Sequence, residues 1–289
     1  GAIGVFCAVG GVEPQSETVW RQADRYSVPR MAFINKMDRT GADYFAAVDS
    51  IREKLAANPV MLQLPMGAED TFEGVIDLVA MKQITWDDST QGVEYSVADI
   101  RPEFEEPAAE HREAMLEALS EVNDEIMEKY LGEEEIEEKE LSAAIRTATI
   151  AKEIVPVFCG SALKNKGIQP LLNAIEAYLP SPLDIPPVIG HHPKTGDELE
   201  FQPRKNDPLA ALIFKVSMIE GRKLSFARIY SGRLETGKDV FNPGLNKKEK
   251  LSRILQMHAN KRERLKEAGA GDIVGIVGLK NSGTGDTLC

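Results

Sequence analysis

The chain holds little cysteine, and what it has is poorly placed for cross-linking or metal capture. Cys7, Cys159 and Cys289 are its only three in 289 residues. The number is odd and no two stand at metal-ligand spacing, so the sequence predicts a reducing, cytoplasmic setting with neither disulfide framework nor metal site. Histidine is equally sparse, with four residues. His191 and His192 are adjacent, but they stand in a proline-rich connector and read as solvated linker side chains. No apolar run is long enough to span a bilayer, and no charged-then-apolar signal segment opens the sequence, so no membrane role is expected. Basic residues are outnumbered 34 to 46, for a net charge of −12.

That deficit is local. Residues 60–151 carry 24 Asp and Glu against 6 Lys and Arg, whereas 1–59 together with 152–190 balance at 10 against 10. Residues 191–289 carry 18 basic against 12 acidic side chains. Such asymmetry predicts segments with different partners.

What is present in strength is the short buried strand. Met31 to Ile34 is an apolar run that ends in Asn35, Lys36, Met37 and Asp38. Ligands in open α/β sheets bind beyond the carboxyl ends of the strands, which is where these polar groups fall. Guanine offers N1–H and N2–H donors that one carboxylate can take together, so Asp38 suits it. An Asn35 amide can donate to N7, and the Lys36 stem can lie flat on the purine. Adenine would leave the carboxylate unpaired. Alone, such a spacing is equally a polar turn after a strand. A second buried strand, Ile154 to Gly160, leads into Ser161, Ala162 and Leu163, where a small residue lets the Ala162 N–H approach the base O6. This Ser-Ala loop resembles the second guanine-recognition element of the GTPase superfamily, and with both loops at the ends of buried strands the resemblance implies guanine binding.

In order, Ile3–Val9 reads as a central parallel strand, Pro14 opens a helix to about Tyr26, and Asp43 caps a helix to about Ala57. Short strands are then predicted at 60–65, 74–78, 82–86 and 93–97, a long helix over Pro107–Tyr130, and another over Glu137–Ala151. The acidic run Glu133–Glu135 reads as a solvated helix connection. A helix over Ile168–Leu179 precedes Pro180–Pro187, where four prolines predict a stiff extended linker and a domain boundary. Strands at 209–218, 224–232, 239–242, 250–258 and 273–279 predict a small β-barrel. Its basic edge, from Lys247 to Lys266, suits RNA phosphates and equally a mixed-charge surface loop. The fold class is thus multidomain α/β plus β. A parallel sheet occupies 1–59 and 152–190, an acidic α+β insert 60–151, and a barrel 191–289.

The run Gly11–Ala23 (GVEPQSETVWRQA) resembles the bacterial translation elongation factor G family. So do Asn35–Asp38, Gly160–Ala162, Tyr178–Pro182, Met257–Lys261 (MHANK) and Thr284–Leu288. The likeness covers essentially the whole chain. One departure is Met218–Lys223, where the family's usual segment is longer and carries an Asp-Pro.

The resemblance implies a P-loop GTPase fold, GTP or GDP as ligand with Mg²⁺, and ribosome-dependent hydrolysis that moves tRNA and mRNA. It also implies that the phosphate loop, switches, Mg²⁺ ligands and catalytic residue precede Gly1, that further domains and the barrel's last strand follow Cys289, and that the fragment alone binds nucleotide weakly and hydrolyses none. Guanine-binding positions would be Asn35, Lys36, Asp38, Ser161, Ala162 and Leu163. Partners would be the ribosomal stalk protein for 60–151 and small-subunit rRNA for 191–289. A sibling ribosome-protection or release-factor GTPase and a non-enzymatic stalk-binding adaptor are the rival readings. Residues 3–9, uncharged and without proline, are expected to be an open sheet edge prone to self-association, with a second open edge beyond Leu288.

Overall fold

A computed structural model describes all residues except Lys194, Glu220, Ala259 and Asn260. Part of the Met257–Lys261 motif and of the Met218–Lys223 departure therefore lies outside the described residues. The chain divides into two compact units, Gly1–Pro180 and Ser181–Cys289.

In the first unit, β1 (Ala2–Cys7), α1 (Pro14–Arg25) and β2 (Arg30–Asn35) form a βαβ start, followed by α2 (Tyr44–Leu55) and β3 (Pro59–Met61). The insert contributes β4 (Gln63–Met66), β5 (Gly74–Asp77), β6 (Lys82–Trp86), β7 (Tyr95–Ala98), α3 (Pro102–Ser120), α4 (Asp124–Leu131) and α5 (Glu138–Ala151). The host resumes with β8 (Val155–Cys159) and α6 (Ile168–Tyr178). Two sheets result: a parallel one in the order β1-β2-β8-β3 and an antiparallel one in the order β4-β5-β6-β7. β2 and β8 lie centrally, and Met31, Ile34, Val157 and Cys159 are fully buried, as near-continuous apolar runs in parallel sheets demand. Asp43 caps α2 by accepting the Ala46 N–H at 2.9 Å. One continuous core joins host and insert, from Phe33 and Val157 through Leu62, Ile76 and Trp86 to Leu141.

Several expectations need correction. The run at 60–65 is two strands in two sheets: β3 pairs with β8, and β4 begins the insert sheet. The parallel sheet therefore extends past residue 59. The long helix over 107–130 is broken. Its start is Pro102, a first-turn position where the missing N–H costs nothing, and its second half restarts at Asn123, whose side chain accepts the Ile126 N–H at 3.0 Å. On α2, Tyr44 is buried, whereas its neighbour Phe45 is 46% exposed and stacks on His111.

The second unit is all β. A hairpin of β9 (Val188–His191) and β10 (Glu198–Phe201) precedes β11 (Ala210–Ile219), β12 (Arg222–Ser231), β13 (Arg233–Glu235), β14 (Asp239–Asn242), β15 (Lys247–Lys250) and β16 (Arg253–His258). β17 (Lys261–Leu265), β18 (Glu267–Gly269), β19 (Ile273–Val277) and β20 (Thr287–Leu288) complete it. A six-stranded sheet, β17-β16-β19-β12-β11-β20, and the pairs β13-β18 and β14-β15 surround Ile213, Ile229, Leu251, Ile254 and Ile276.

Here too there are corrections. The span 250–258 is split between β15 and β16, and β17 was not anticipated. His191 ends a strand and His192 accepts the Thr195 N–H at 3.2 Å, so they belong to a hairpin and not to a linker. The proline-rich segment is not fully extended: Asp184 N–H bonds Ser181 O at 3.1 Å and Asp184 Oδ2 accepts Ser181 N–H at 2.6 Å. Leu288 is not on an open edge. β20 pairs with β11, and Cys289 exchanges two 2.8 Å hydrogen bonds with Phe241 of β14.

Candidate functional site

The two loops singled out by sequence leave adjacent strands, with Ile34 paired to Cys159. They are stitched at the base. Gly160 N–H donates to Ile34 O at 3.0 Å, and Met37 N–H donates to Gly160 O at 3.1 Å. A Cβ on Gly160 would stand 2.3 Å from Lys166 O and 2.9 Å from the Phe33 ring, so the close return of the loop depends on glycine there.

Asn35 ties the loops a second time. Its Oδ1 accepts the Lys36 N–H at 2.8 Å and the Ala162 N–H at 2.9 Å. Both partners are N–H donors, so the amide orientation is fixed with oxygen inward and Nδ2 left as the free-facing donor. The Ala162 N–H, expected to meet a base oxygen, is here engaged by Asn35. Lys36 is exposed on a left-handed backbone, φ 67°, which lifts its side chain off the strand axis, while Met37 beneath it is fully buried. Asp38 is half-buried and carries no hydrogen bond or ion pair among the described residues. Ser161 is buried and pairs in both directions with Lys166 at 3.0 Å, and its Oγ accepts the Lys164 N–H at 3.4 Å. Leu163 projects into solvent, 93% exposed.

The two loops thus bring together, at the ends of adjacent strands, an amide donor, a carboxylate without a partner among the described residues, a long aliphatic stem and a backbone N–H held by Asn35. That set complements a planar heterocycle with both donors and acceptors on its edge. Among the described residues no three His, Cys, Asp or Glu side chains group as a metal site.

Sequence reasoning missed what stands behind the loops. Glu69, in a short 3-10 turn of the insert, donates its N–H to Met37 O at 2.8 Å and accepts the Gly41 N–H at 2.6 Å through Oε1. Lys166, only 2% exposed, meets Asp88 Oδ1 at 2.8 Å and Phe72 O at 3.3 Å. Asn165 and Gln169 both donate to Gly92 O, at 3.1 and 2.9 Å, and Trp86 Nε1 donates to Gln169 Oε1 at 3.0 Å. The only sequence signal was Gly92 itself, a turn glycine whose φ is 72°.

Residues 1–181 match the elongation factor Tu GTP binding domain. The chain belongs to that family. Residues 208–289 match elongation factor G domain 2, in keeping with the motif resemblance. Elongation factor G 2 of Syntrophus aciditrophicus (strain SB) is 57% identical over 289 residues, covering all of this chain and 43% of that protein. The chain thus spans less than half the length of that relative. A crystal structure from Thermus thermophilus is 27% identical with a TM-score of 0.79, covering 98% of this chain and 39% of that one. Fold and homology agree on the parallel sheet of the elongation factor Tu GTP binding domain family followed by a β-rich second domain.

Proposed function

We propose that this chain supplies the guanine-reading part of a ribosome-dependent GTPase of the elongation factor G type, acting in the cytoplasm. Asp38 takes the base N1–H and N2–H, Asn35 Nδ2 donates to N7, and the Lys36 stem covers the ring. Ser161, Ala162 and Leu163 form the opposite rim, with the Ala162 N–H transferring from Asn35 Oδ1 to O6 when the base enters. Phosphate and Mg²⁺ contacts are not assigned to these residues; nucleotide-bound Mg²⁺ supplies charge neutralisation at the phosphates.

The acidic insert suits a ribosomal stalk protein and the basic edge of the second unit suits small-subunit rRNA, because −18 over 60–151 repels RNA while +6 over 191–289 attracts it. No helix among the described residues is long and apolar enough to cross a membrane.

The observation that carries the base assignment is the Asn35 bridge to Ala162, which holds two loops from distant sequence side by side next to Asp38. Asp38→Asn tests it. An amide N–H would face the guanine N2 amino group, whereas xanthine offers a carbonyl at that place. The variant is expected to prefer XDP over GDP by at least about tenfold in competition binding, the scale of one lost and one gained hydrogen bond. An unchanged GDP preference would remove Asp38 from the site.

A further inference from the structure

We propose that Lys166 is a positioning residue through which the insert sets guanine affinity. The proposal rests on the base-site reading above and deepens it.

The insert touches both loops, and each contact is directional. On one side the Glu69 turn holds Met37 O and the Gly41 N–H, on either side of Asp38 in the chain. On the other, the tip of the β6–β7 hairpin accepts Asn165 and Gln169 at the Gly92 carbonyl. That approach is close: a Cβ on Gly92 would lie 2.3 Å from Lys164 O. Lys166 stands between the two supports. Its ammonium bridges Asp88 of the hairpin tip and Phe72 O beside the Glu69 turn. Its own backbone is the partner of Ser161 in both directions, one residue from the Ala162 N–H that rims the site. A shift of the hairpin tip therefore reaches the rim through a single residue.

An apolar side chain would fill the same buried space without the cost of desolvating an ammonium. What the lysine adds is direction, because its ammonium is held by two partners, Asp88 Oδ1 and Phe72 O, while its backbone is paired with Ser161. The Asp88 end of the pair is 76% exposed, so a ligand or protein docking on the insert can draw that carboxylate away. Reciprocity then applies: whatever the hairpin does to base affinity, base binding does to the hairpin.

The test uses the whole chain, with GDP and ADP titrated at up to millimolar concentration and amide exchange followed at Thr90–Val93. In the parent sequence GDP is preferred and slows exchange at these amides. Lys166→Met is expected to weaken GDP about 5- to 30-fold, the range of ordinary site coupling, and to uncouple the exchange from GDP. Lys166→Arg keeps both. Asp88→Asn, on the exposed end, shifts affinity the same way by a smaller factor and keeps the test usable if Lys166→Met does not fold. Folded Lys166→Met and Asp88→Asn proteins with unchanged GDP affinity and exchange at Thr90–Val93 indifferent to GDP would overturn the proposal while leaving the base site standing. No preference for GDP over ADP in the parent sequence would overturn both.

Discussion

Glu249 shows how much one side chain can organise. It is 6% exposed on β15, and Oε1 accepts the N–H groups of Lys280 and Asn281, each at 2.7 Å, while Oε2 accepts the Ser282 N–H at 2.9 Å and the Ser282 hydroxyl. Burial pushes its carboxyl up, but these donors outweigh it and hold it at about 2. The folded value lies below the unfolded one, so the stabilisation is full above about pH 4.3 and is lost as pH falls toward 2. It amounts to about 3 kcal/mol. Glu249→Gln, which turns an NH₂ toward N–H donors, should lower the melting temperature of the 181–289 unit at pH 7. The gap between parent and variant should close as pH is lowered from 4 to 2.5, read by calorimetry; a gap that stays constant with pH would show that the carboxylate is not the cause. Residues such as Asn35 and Asp38 were legible because their placement follows from a strand immediately before them. Lys166 and Glu249 were not, since their burial comes from partners far along the chain and a charged letter reads as surface.

Elements were legible where local chemistry decided them. Pro14, Asp43 and the apolar runs of β2 and β8 set their boundaries within a residue or two. They were not legible where tertiary pairing decided: β3 and β4 are one apolar run divided between two sheets, and β17, with four charged residues in five, is a strand because β16 pairs with it. β1 is the instructive case. Its run has the composition of a central strand, yet among the described residues it pairs only with β2. Phe6 is buried, whereas Val5 is 59% exposed; Val9, expected in the same strand, lies in the turn that follows Cys7. Such an edge, with no Lys or Pro to block it, templates pairing with another strand. The chain should associate with rising concentration on a sizing column with light scattering, and Val5→Lys should return it to monomer. A parent chain that stays monomeric at millimolar concentration would refute the edge argument.

Across the whole molecule, charge is sorted by segment, and in the second unit five basic side chains gather at one groove. Arg222 and Lys223 of β12, Arg253 of β16, and Arg262 and Arg264 of β17 line a groove of about 250 Å³ floored by Leu224, Leu255 and Val277. The register explains the convergence: Leu255 pairs with Arg264, Met257 with Arg262, and Arg253 with Val277, so basic side chains from three strands share one end of the sheet. Guanidinium groups over an apolar floor suit the regular phosphates of an RNA helix, and such pairing shows itself through counterion release. A mixed-charge surface would give weak, nearly salt-insensitive binding instead. A short RNA duplex is therefore expected to bind the chain at low salt with a steep fall in affinity as salt rises. Arg253→Glu with Arg264→Glu, both at exposed positions, should lower the low-salt affinity more than about tenfold and reduce the slope of log K against log salt by about two, one for each phosphate no longer neutralised. Equal slopes for parent and double variant, measured by fluorescence anisotropy over a salt series, would assign these arginines to the solvated surface and take RNA away from this face.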